Sequence, residues 1–318
     1  MKFSPQAAAI LLGLALLALV PVFSALAGES FYVDLFTRIL IFAIAAMSLD
    51  LILGYGGMVS FGHAAYLGIG SYAVGILDHY GVDNGFLQFA LAIGASAAVA
   101  LFIGAVSLRT SGVYFIMITL AFTQMIYFLG VSLNTFGGDD GMNIAHNSDF
   151  AGLIDLGNAT ALYYFVLGFL ILFLVLGYRL VDSRFGMAIR GAKSNERRMI
   201  AIGFPTYRYK LAAFVIAGAV CGVAGALLAN QSLFMSPAIM HWSRSGEIMV
   251  MVLLGGTGTL FGPVVGAVVL LALENTLSGY TEHWQAILGP ILVLVVLFAR
   301  QGLFGLVQRR APHGAGHG

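Results

Sequence analysis

The sequence has little charge and almost no cysteine. Of its 318 residues, 9% are charged and 60% are hydrophobic, whereas a soluble domain carries about 25% charged residues. Such a chain cannot cover itself with a water-facing surface, and apolar runs of about 20 residues recur along it, as in transmembrane helices. The single cysteine, Cys221, excludes an internal disulfide. The composition therefore predicts an all-α polytopic membrane protein.

Signatures of several other function classes are missing as well. The sequence has no GxxxxGK[ST] phosphate loop, so this chain does not bind ATP by that motif. It also lacks GxSxG, which disfavours an intramembrane serine hydrolase although Ser60 and His63 are close in sequence. No second His or Cys stands at metal-ligand spacing, and the basic residues are segregated rather than general. We therefore expect a chain that is not an enzyme, with no cofactor, metal site or nucleic-acid partner.

The apolar runs predict about ten membrane passes in a single domain, 1–318. The first run ends in Ala25-Leu-Ala27 and resembles a cleavable signal peptide, but it is long enough to span and we take it as a helix. The predicted helices cover about 6–26, 35–54, 63–78, 86–107, 112–131, 160–178, 209–230, 245–255, 264–278 and 285–299.

The distribution of basic residues orients these helices. The stretch Arg179–Lys210 and the C-terminal tail hold eleven of the fifteen Lys and Arg residues, which places both in the cytoplasm. The segment 132–158 has four aspartates and no Lys or Arg, and belongs outside. Both termini are then cytoplasmic, provided that 245–255 is a separate, short pass. If it continues into 264–278, the C-terminal arginines fall outside.

The basic stretch also has the marks of local structure. Ser194 or Asn195 is suited to cap a short helix, Gly203 to end it, and Pro205 prevents its continuation. Topology alone explains basic residues in such a loop, but it does not require a helix. The capped stretch therefore predicts a docking element for a cytoplasmic partner.

Glycine-rich breaks interrupt the predicted helices at 54–62 and 255–263, and the two breaks resemble each other. In transporters such paired interruptions point to the substrate-binding region, and free N–H groups at a half-helix suit an anionic or zwitterionic solute. Thr119 and Thr123 share one helix face, so they either line a path or hydrogen-bond between helices. The candidate path residues are Asp50, Gly54, Gly57, Ser60, His63, Thr119, Thr123, Gly256 and Gly258.

Several blocks, in order, resemble the permease subunit of branched-chain and other hydrophobic amino acid ABC importers. The strongest is SLDLILGYGGMVSFGHAAYLGIGSYAVGIL, followed by SGVYFIMITLAF, the GGDDG turn, SRFGMAIRGAKSNERRMIAIGF, KLAAFVIAGAVCGVAGALLA and VLLGGTGTLFGPVVGA. The similarity covers nearly the whole chain. Two positions depart from the expected pattern: Asp50 stands where Asn is usual, and Met58 where a polar or small aliphatic residue is usual.

The resemblance implies a set of partners and a mechanism. These are two cytoplasmic ATPase subunits, a second homologous permease, and a periplasmic or lipid-anchored substrate-binding protein, in a bacterial-type inner membrane. The segment 182–208 would contain the coupling helix through which ATP hydrolysis drives alternating access. The residues that the resemblance assigns to ATPase coupling are Glu196, Arg197, Arg198, Ala201 and Gly203.

Two alternatives stay open at this point. The first is an importer of the same type that carries urea, short amides or an aromatic carboxylate. The departure from the expected pattern at Asp50 is the reason to retain this alternative. The other is a self-sufficient secondary transporter or channel, for which the basic helix would only determine topology.

Overall fold

The computed structural model describes residues 5–28, 31–152, 154–281, 283, 285–290 and 302–304. Its α-helices end where glycine, proline or polar residues interrupt the apolar runs. They are α1 (Pro5–Ala27), α2 (Phe31–Asp50), α3 (His63–His79), α4 (Gly85–Ser107), α5 (Val113–Ser132), α6 (Ala159–Asp182), α7 (Arg184–Ala201), α8 (Thr206–Ser232), α9 (Trp242–Gly255) and α10 (Gly262–Tyr280).

Short elements complete the described chain. A π-helical turn, Leu51–Tyr55, extends α2, and 3-10 turns occupy Asn134–Phe136 and Pro237–Met240. One antiparallel pairing joins β1 (Met142–Asn143) to β2 (Phe234–Met235). The fold is nearly all-α, as the composition predicts.

Seven of the described helical stretches are long and apolar enough to cross a membrane. They are α1, α2 with its π turn, α4, α5, α6, α8 and α10. Helix α9 has 14 residues, about 21 Å at 1.5 Å per residue, which is shorter than a hydrocarbon core of about 30 Å. The charge-based orientation requires that 245–255 be separate from the helix that follows it. Helix α9 ends at Gly255 and α10 begins at Gly262, so the two are separate helices. Most of the predicted 285–299 helix lies outside the described residues, so the count of ten stays a prediction.

Helix α2 lies at the centre of the bundle, where it packs against α6, α8, α9 and α10. Of the 18 most apolar consecutive residues in the span Phe31–Tyr55, 83% are buried within this chain. The corresponding share for Val113–Ser132 of α5 is 22%. A helix enclosed by other helices contributes its side chains to the protein interior, whereas α5 leaves most of its surface to lipid or to another protein. The interior position of α2 places its C-terminal break inside the protein.

Helices α3, α4 and α8 approach closely because glycines line their contacts. A Cβ atom on Gly70 of α3 would overlap the carbonyl oxygen of Gly222 in α8, and one on Gly225 would overlap that of Leu67. On the α4 side, Gly218 and Gly222 are four residues apart, the small-xxx-small spacing that lets membrane helices pack backbone to backbone. These contacts fix α3 and therefore the break that precedes it.

The Gly225→Ala substitution tests this close contact. The added methyl group meets backbone rather than a movable side chain, so we expect α3 and α8 to separate at a cost of about 1–3 kcal/mol. Thermal unfolding in detergent should show a lower midpoint. Gly168→Ala in α6 is the matched control, because a Cβ there meets no atom within 4 Å. Equal midpoints for the two variants would contradict the assignment.

Candidate functional site

The first break begins where α2 loosens into its π turn. The amide of Gly57 donates to the carbonyl of Leu53 at 3.1 Å, and the amide of Met58 donates to that of Ile52 at 2.9 Å. Gly57 then takes φ +69°, a left-handed conformation that favours glycine. From there the chain runs without helical hydrogen bonding to α3, which begins at His63.

The irregular backbone of this break is held at Phe61 by side chains from two other helices. The amide of Phe61 donates to Thr119 Oγ1 at 3.2 Å, and its carbonyl accepts from Thr123 Oγ1 at 2.9 Å and Ser245 Oγ at 2.7 Å. Both threonines and Ser245 are fully buried. The i, i+4 pair on α5 therefore hydrogen-bonds to the unwound backbone.

Ser245 also supplies the cap that α3 lacks locally. Its Oγ accepts from the amide of Ala64 at 2.9 Å, in the first turn of α3, where Gly62 has no side chain to offer. The amide of Gly62 instead donates to Ser60 Oγ at 3.1 Å. Sequence reasoning did not single out Ser245, because the two groups it joins lie 181 and 184 residues away along the chain.

His63 and Cys221 lie just inside this cap. The imidazole of His63 is fully buried and stands edge-on to the ring of Tyr66, with centroids 5.7 Å apart. Among the described residues neither ring nitrogen has a hydrogen-bond partner. The thiol of Cys221 donates to the carbonyl oxygen of His63 at 3.3 Å, so this cysteine is a buried packing group that also hydrogen-bonds to α3.

The second break closes a hairpin between α9 and α10. Gly256 and Gly258 have φ values of +117° and +78°. A Cβ on Gly266 of α10 would overlap the carbonyl oxygen of Met251 in α9, so the two helices run back against each other at backbone contact. The six residues between them return the chain toward the end of α2.

The two breaks meet at Asp50. This fully buried carboxylate accepts through Oδ1 from the amide of Gly258 at 2.8 Å. A Cβ on Gly54 would overlap both Asp50 Oδ1 and the Gly258 nitrogen, so glycine permits the approach. The sequence indicated both breaks, and the structure shows that they form one joint.

The basic helix α7 reaches this joint through Lys193. The ammonium of Lys193 donates to the carbonyl oxygen of Gly54, and its stem passes over Gly57. Sequence reasoning treated Lys193 only as one of the basic residues of the loop. The signal that could have found it is the membrane-buried Asp50, which requires a compensating group within reach.

Helix α7 is longer than predicted and is divided by a kink. It begins at Arg184, with Ser183 as its N-cap, and Asn195 has non-helical φ and ψ of −159° and 95°. Asn195 Oδ1 accepts from the amide of Arg198 at 3.0 Å, and Gly203 follows at φ +90°. The predicted short helix is therefore present as the second part of α7, and of the two predicted caps, Ser194 and Asn195, the structure has Asn195, with Gly203 beyond the end of the helix.

The short helix rests on α8 through Glu196. The Glu196 carboxylate contacts Lys210 Nζ at 2.7 Å and accepts from Thr206 Oγ1 at 3.2 Å. Arg197, Arg198 and Ala201 are exposed. The contacts fix the base of the short helix and leave its outer face free within this chain.

A polar cavity of ≈ 740 Å³ lies between α7, the first break and the α4–α5 loop. Arg109, Lys193, Lys210 and Glu196 contribute its charged lining, together with backbone of Gly56 and Gly57. The cavity thus joins the basic helix to the start of the break. Three of these four charged residues are basic.

Three groups able to hold a metal ion come together at the other end of α3. One ligand atom each from Asp78, Asp83 and His146 lie within 4.8 Å of one another. Asp78 is already occupied, since its oxygens accept from the amides of Ala145 at 2.8 Å and His146 at 3.2 Å. The hydrogen bonds of Asp78 hold the 132–158 segment onto α3. The spacing of residues along the chain could not reveal this cluster, because His146 lies far from Asp78 and Asp83 in sequence.

Comparison with known proteins identifies the family. The model of the family described as branched-chain amino acid transport system / permease component matches residues 31–298, so this chain belongs to that family of membrane permeases. No solved structure shows a significant match.

Named relatives cover most of the chain. The high-affinity branched-chain amino acid transport system permease protein LivM of Escherichia coli is 28% identical over 90% of this chain and 73% of its own length. LivH of the same organism is 26% identical over 83% of this chain and 91% of its own length. The ribose import permease protein RbsC of Escherichia coli is 24% identical over 89% of this chain and 91% of its own length. The resemblance drawn from the sequence blocks is confirmed.

The Ser245→Ala substitution tests the anchoring of the first break. It removes one of two donors to the Phe61 carbonyl and leaves the buried amide of Ala64 unbonded. Such a loss costs about 1–3 kcal/mol, which should lower the unfolding midpoint in detergent. Ser243→Ala removes a hydroxyl from the same helical turn, but an exposed one bonded to His241, and should have little effect. Similar losses for both would contradict the anchoring role.

Proposed function

We propose that this chain is the transmembrane permease subunit of an ATP-driven importer for branched-chain or other hydrophobic amino acids. Family membership and the names of the LivM and LivH relatives support this reading. The observation that carries it beyond the family is the short capped helix of α7, which is fixed at its base and exposed on its outer face. Such a helix suits a cytoplasmic partner that pushes on the membrane domain.

The partners are those that the resemblance to the permease family implies. ATP hydrolysis would belong to two cytoplasmic ATPase subunits that dock on the short helix. A second homologous permease would pair with this one, and a periplasmic or lipid-anchored binding protein would deliver the solute. The exposed apolar face of α5 suits contact with the second permease or with membrane lipid.

Orientation and path complete the proposal. The basic segment 182–208 and both termini lie in the cytoplasm, and 132–158 lies outside. The path runs beside the 54–62 and 255–263 breaks and opens inward through the polar cavity. The residues proposed to act here are Asp50, Gly54, Gly57, Ser60, His63, Thr119, Thr123, Gly256 and Gly258 along the path, and Glu196, Arg197, Arg198, Ala201 and Gly203 at the ATPase contact.

The relatives include a ribose permease as well as branched-chain amino acid permeases, so similarity alone leaves the substrate class to be measured. We expect the binding protein to set that class. Calorimetry on that protein with leucine, ribose, urea and an aromatic carboxylate separates the candidates. Reconstitution then separates an ATP-driven importer from a secondary transporter. Uptake that requires ATPases and ATP supports the proposal, and uptake by this chain alone under an ion gradient would refute it.

The Gly203→Ala substitution tests the docking helix. At φ +90° the new methyl group meets no atom within 4 Å, so the change acts only by straining the backbone, by about 1–2 kcal/mol. We expect stimulated ATPase activity in the assembled importer to fall roughly 5- to 30-fold, as that energy implies.

Gly81→Ala is the matched control. Gly81 also has a positive φ, +74°, with no atom within 4 Å of a Cβ, but it lies in the α3–α4 link far from α7 in sequence. It should bear the same strain and leave ATPase stimulation intact. If the two variants behave alike, the loss reflects general strain and the docking role is wrong.

A further inference from the structure

The joint between the two breaks holds a buried carboxyl group with one unbonded oxygen. Asp50 Oδ1 accepts from the amide of Gly258, and the backbone of Thr259 also acts on the group, while Asp50 Oδ2 is buried and makes no hydrogen bond among the described residues. A carboxylate taken out of water without compensation is destabilising. The second oxygen is therefore an available acceptor for a cation.

A donor stands beside it on α7. Lys193 reaches Gly54, and a Cβ on Gly54 would overlap Asp50 Oδ1, so the ammonium is bonded to the residue that borders the carboxyl group. Its ammonium is bonded to the neighbouring carbonyl of Gly54 rather than to the carboxylate. A lysine ammonium has three N–H groups on a flexible stem, and the one hydrogen bond seen here leaves it free to change acceptor.

The position of Lys193 relates it to both parts of α7. It lies two residues before Asn195, where the helix kinks, and its Cγ would lie 3.0 Å from a Cβ on Gly57. The half of α7 before the kink packs onto the body through Ala188, Ile189 and Ala192. Lys193 directly follows this packed face and stands beside the kink, so a shift of the short helix after the kink would reach its side chain.

We propose that Lys193 is a positioning residue that transmits movement of α7 to both breaks by exchanging the Gly54 carbonyl for Asp50 Oδ2. In the present arrangement Lys193 holds Gly54, which lies against the Asp50–Gly258 contact. In the other arrangement Lys193 pairs with Asp50 Oδ2. This pairing releases the Gly54 carbonyl and alters the hydrogen bond between Asp50 and the amide of Gly258. This inference rests on the proposed function, since it assumes that a partner moves α7.

The carboxylate at position 50 suits this role. A carboxylate offers two acceptor oxygens, whereas the amide of an Asn would offer only one. With Oδ1 held by Gly258, the carboxylate leaves a second acceptor for an ammonium.

The test uses Lys193→Met, Lys193→Arg, Asp50→Asn and the double variant Lys193→Met/Asp50→Asn in the assembled importer. We expect Lys193→Met to lower the unfolding midpoint, because it leaves a buried carboxyl group without its neighbouring cation, and to reduce substrate-stimulated ATPase activity and uptake at least about tenfold while co-purification with the ATPases is retained. The double variant should recover the midpoint and stay uncoupled. Lys193→Arg, which keeps the charge, should retain part of the coupling. Arg184→Met, an exposed charge removed from the same helix, should change nothing.

The outcome of the double variant decides between transmission and simple charge compensation. If it recovers coupling together with stability, Lys193 only neutralises Asp50 and the inference is overturned. Full coupling in Lys193→Met would overturn it as well. Co-purification with the ATPases, measured first, separates these outcomes from failure of the proposed function.

Hydrogen exchange on this chain alone gives a second measurement that needs no ATPase. We expect Lys193→Met to speed amide exchange both in 54–62 and in 256–261, while Arg184→Met speeds neither. Faster exchange in the first break only would show that Lys193 does not act on the second, and would refute the transmission to both.

Discussion

The arrangement depends on one constraint: backbone that leaves the helical state inside a membrane protein still needs hydrogen-bond partners. The first break meets it at Phe61 through Thr119, Thr123 and Ser245. The second meets it at Gly258 through Asp50. The hydroxyls of Thr119, Thr123 and Ser245, which stand out in an apolar sequence, are thus occupied by the protein's own backbone.

The course of the helices was largely predictable, because apolar runs, caps and glycines are local features. The short helix after Asn195 followed from cap chemistry within nine residues, and it is present. The first half of α7 was missed because Arg184, Arg190 and Lys193 make it look like a solvated loop. Its helix is stabilised by a narrow face, Ala188, Ile189 and Ala192, that packs on the body.

The connections within the site were not predictable, since they join distant parts of the chain. Asp50 and Gly258 are 208 residues apart, and Lys193 and Gly54 are 139 apart. The sequence indicated that a buried acid needs a partner and that glycines permit close approach, but neither rule says which residues meet. The hydrogen bonds from the amides of Ala145 and His146 to Asp78 were not predicted for the same reason. Local chemistry predicted the parts, and packing determined their pairing.

The kink at Asn195 divides α7 into two parts that are held differently. The half before the kink is held by buried Ala188 and Ile189, while the half after it contacts Lys210 and Thr206 through Glu196. A coupling element, the role proposed for α7, must bind a partner that moves and also pass that movement into a packed interior. A straight helix would have to move as a whole and break its packing. A kink would let the outer half tilt, and the exchange proposed for Lys193, beside the kink, needs only a small shift.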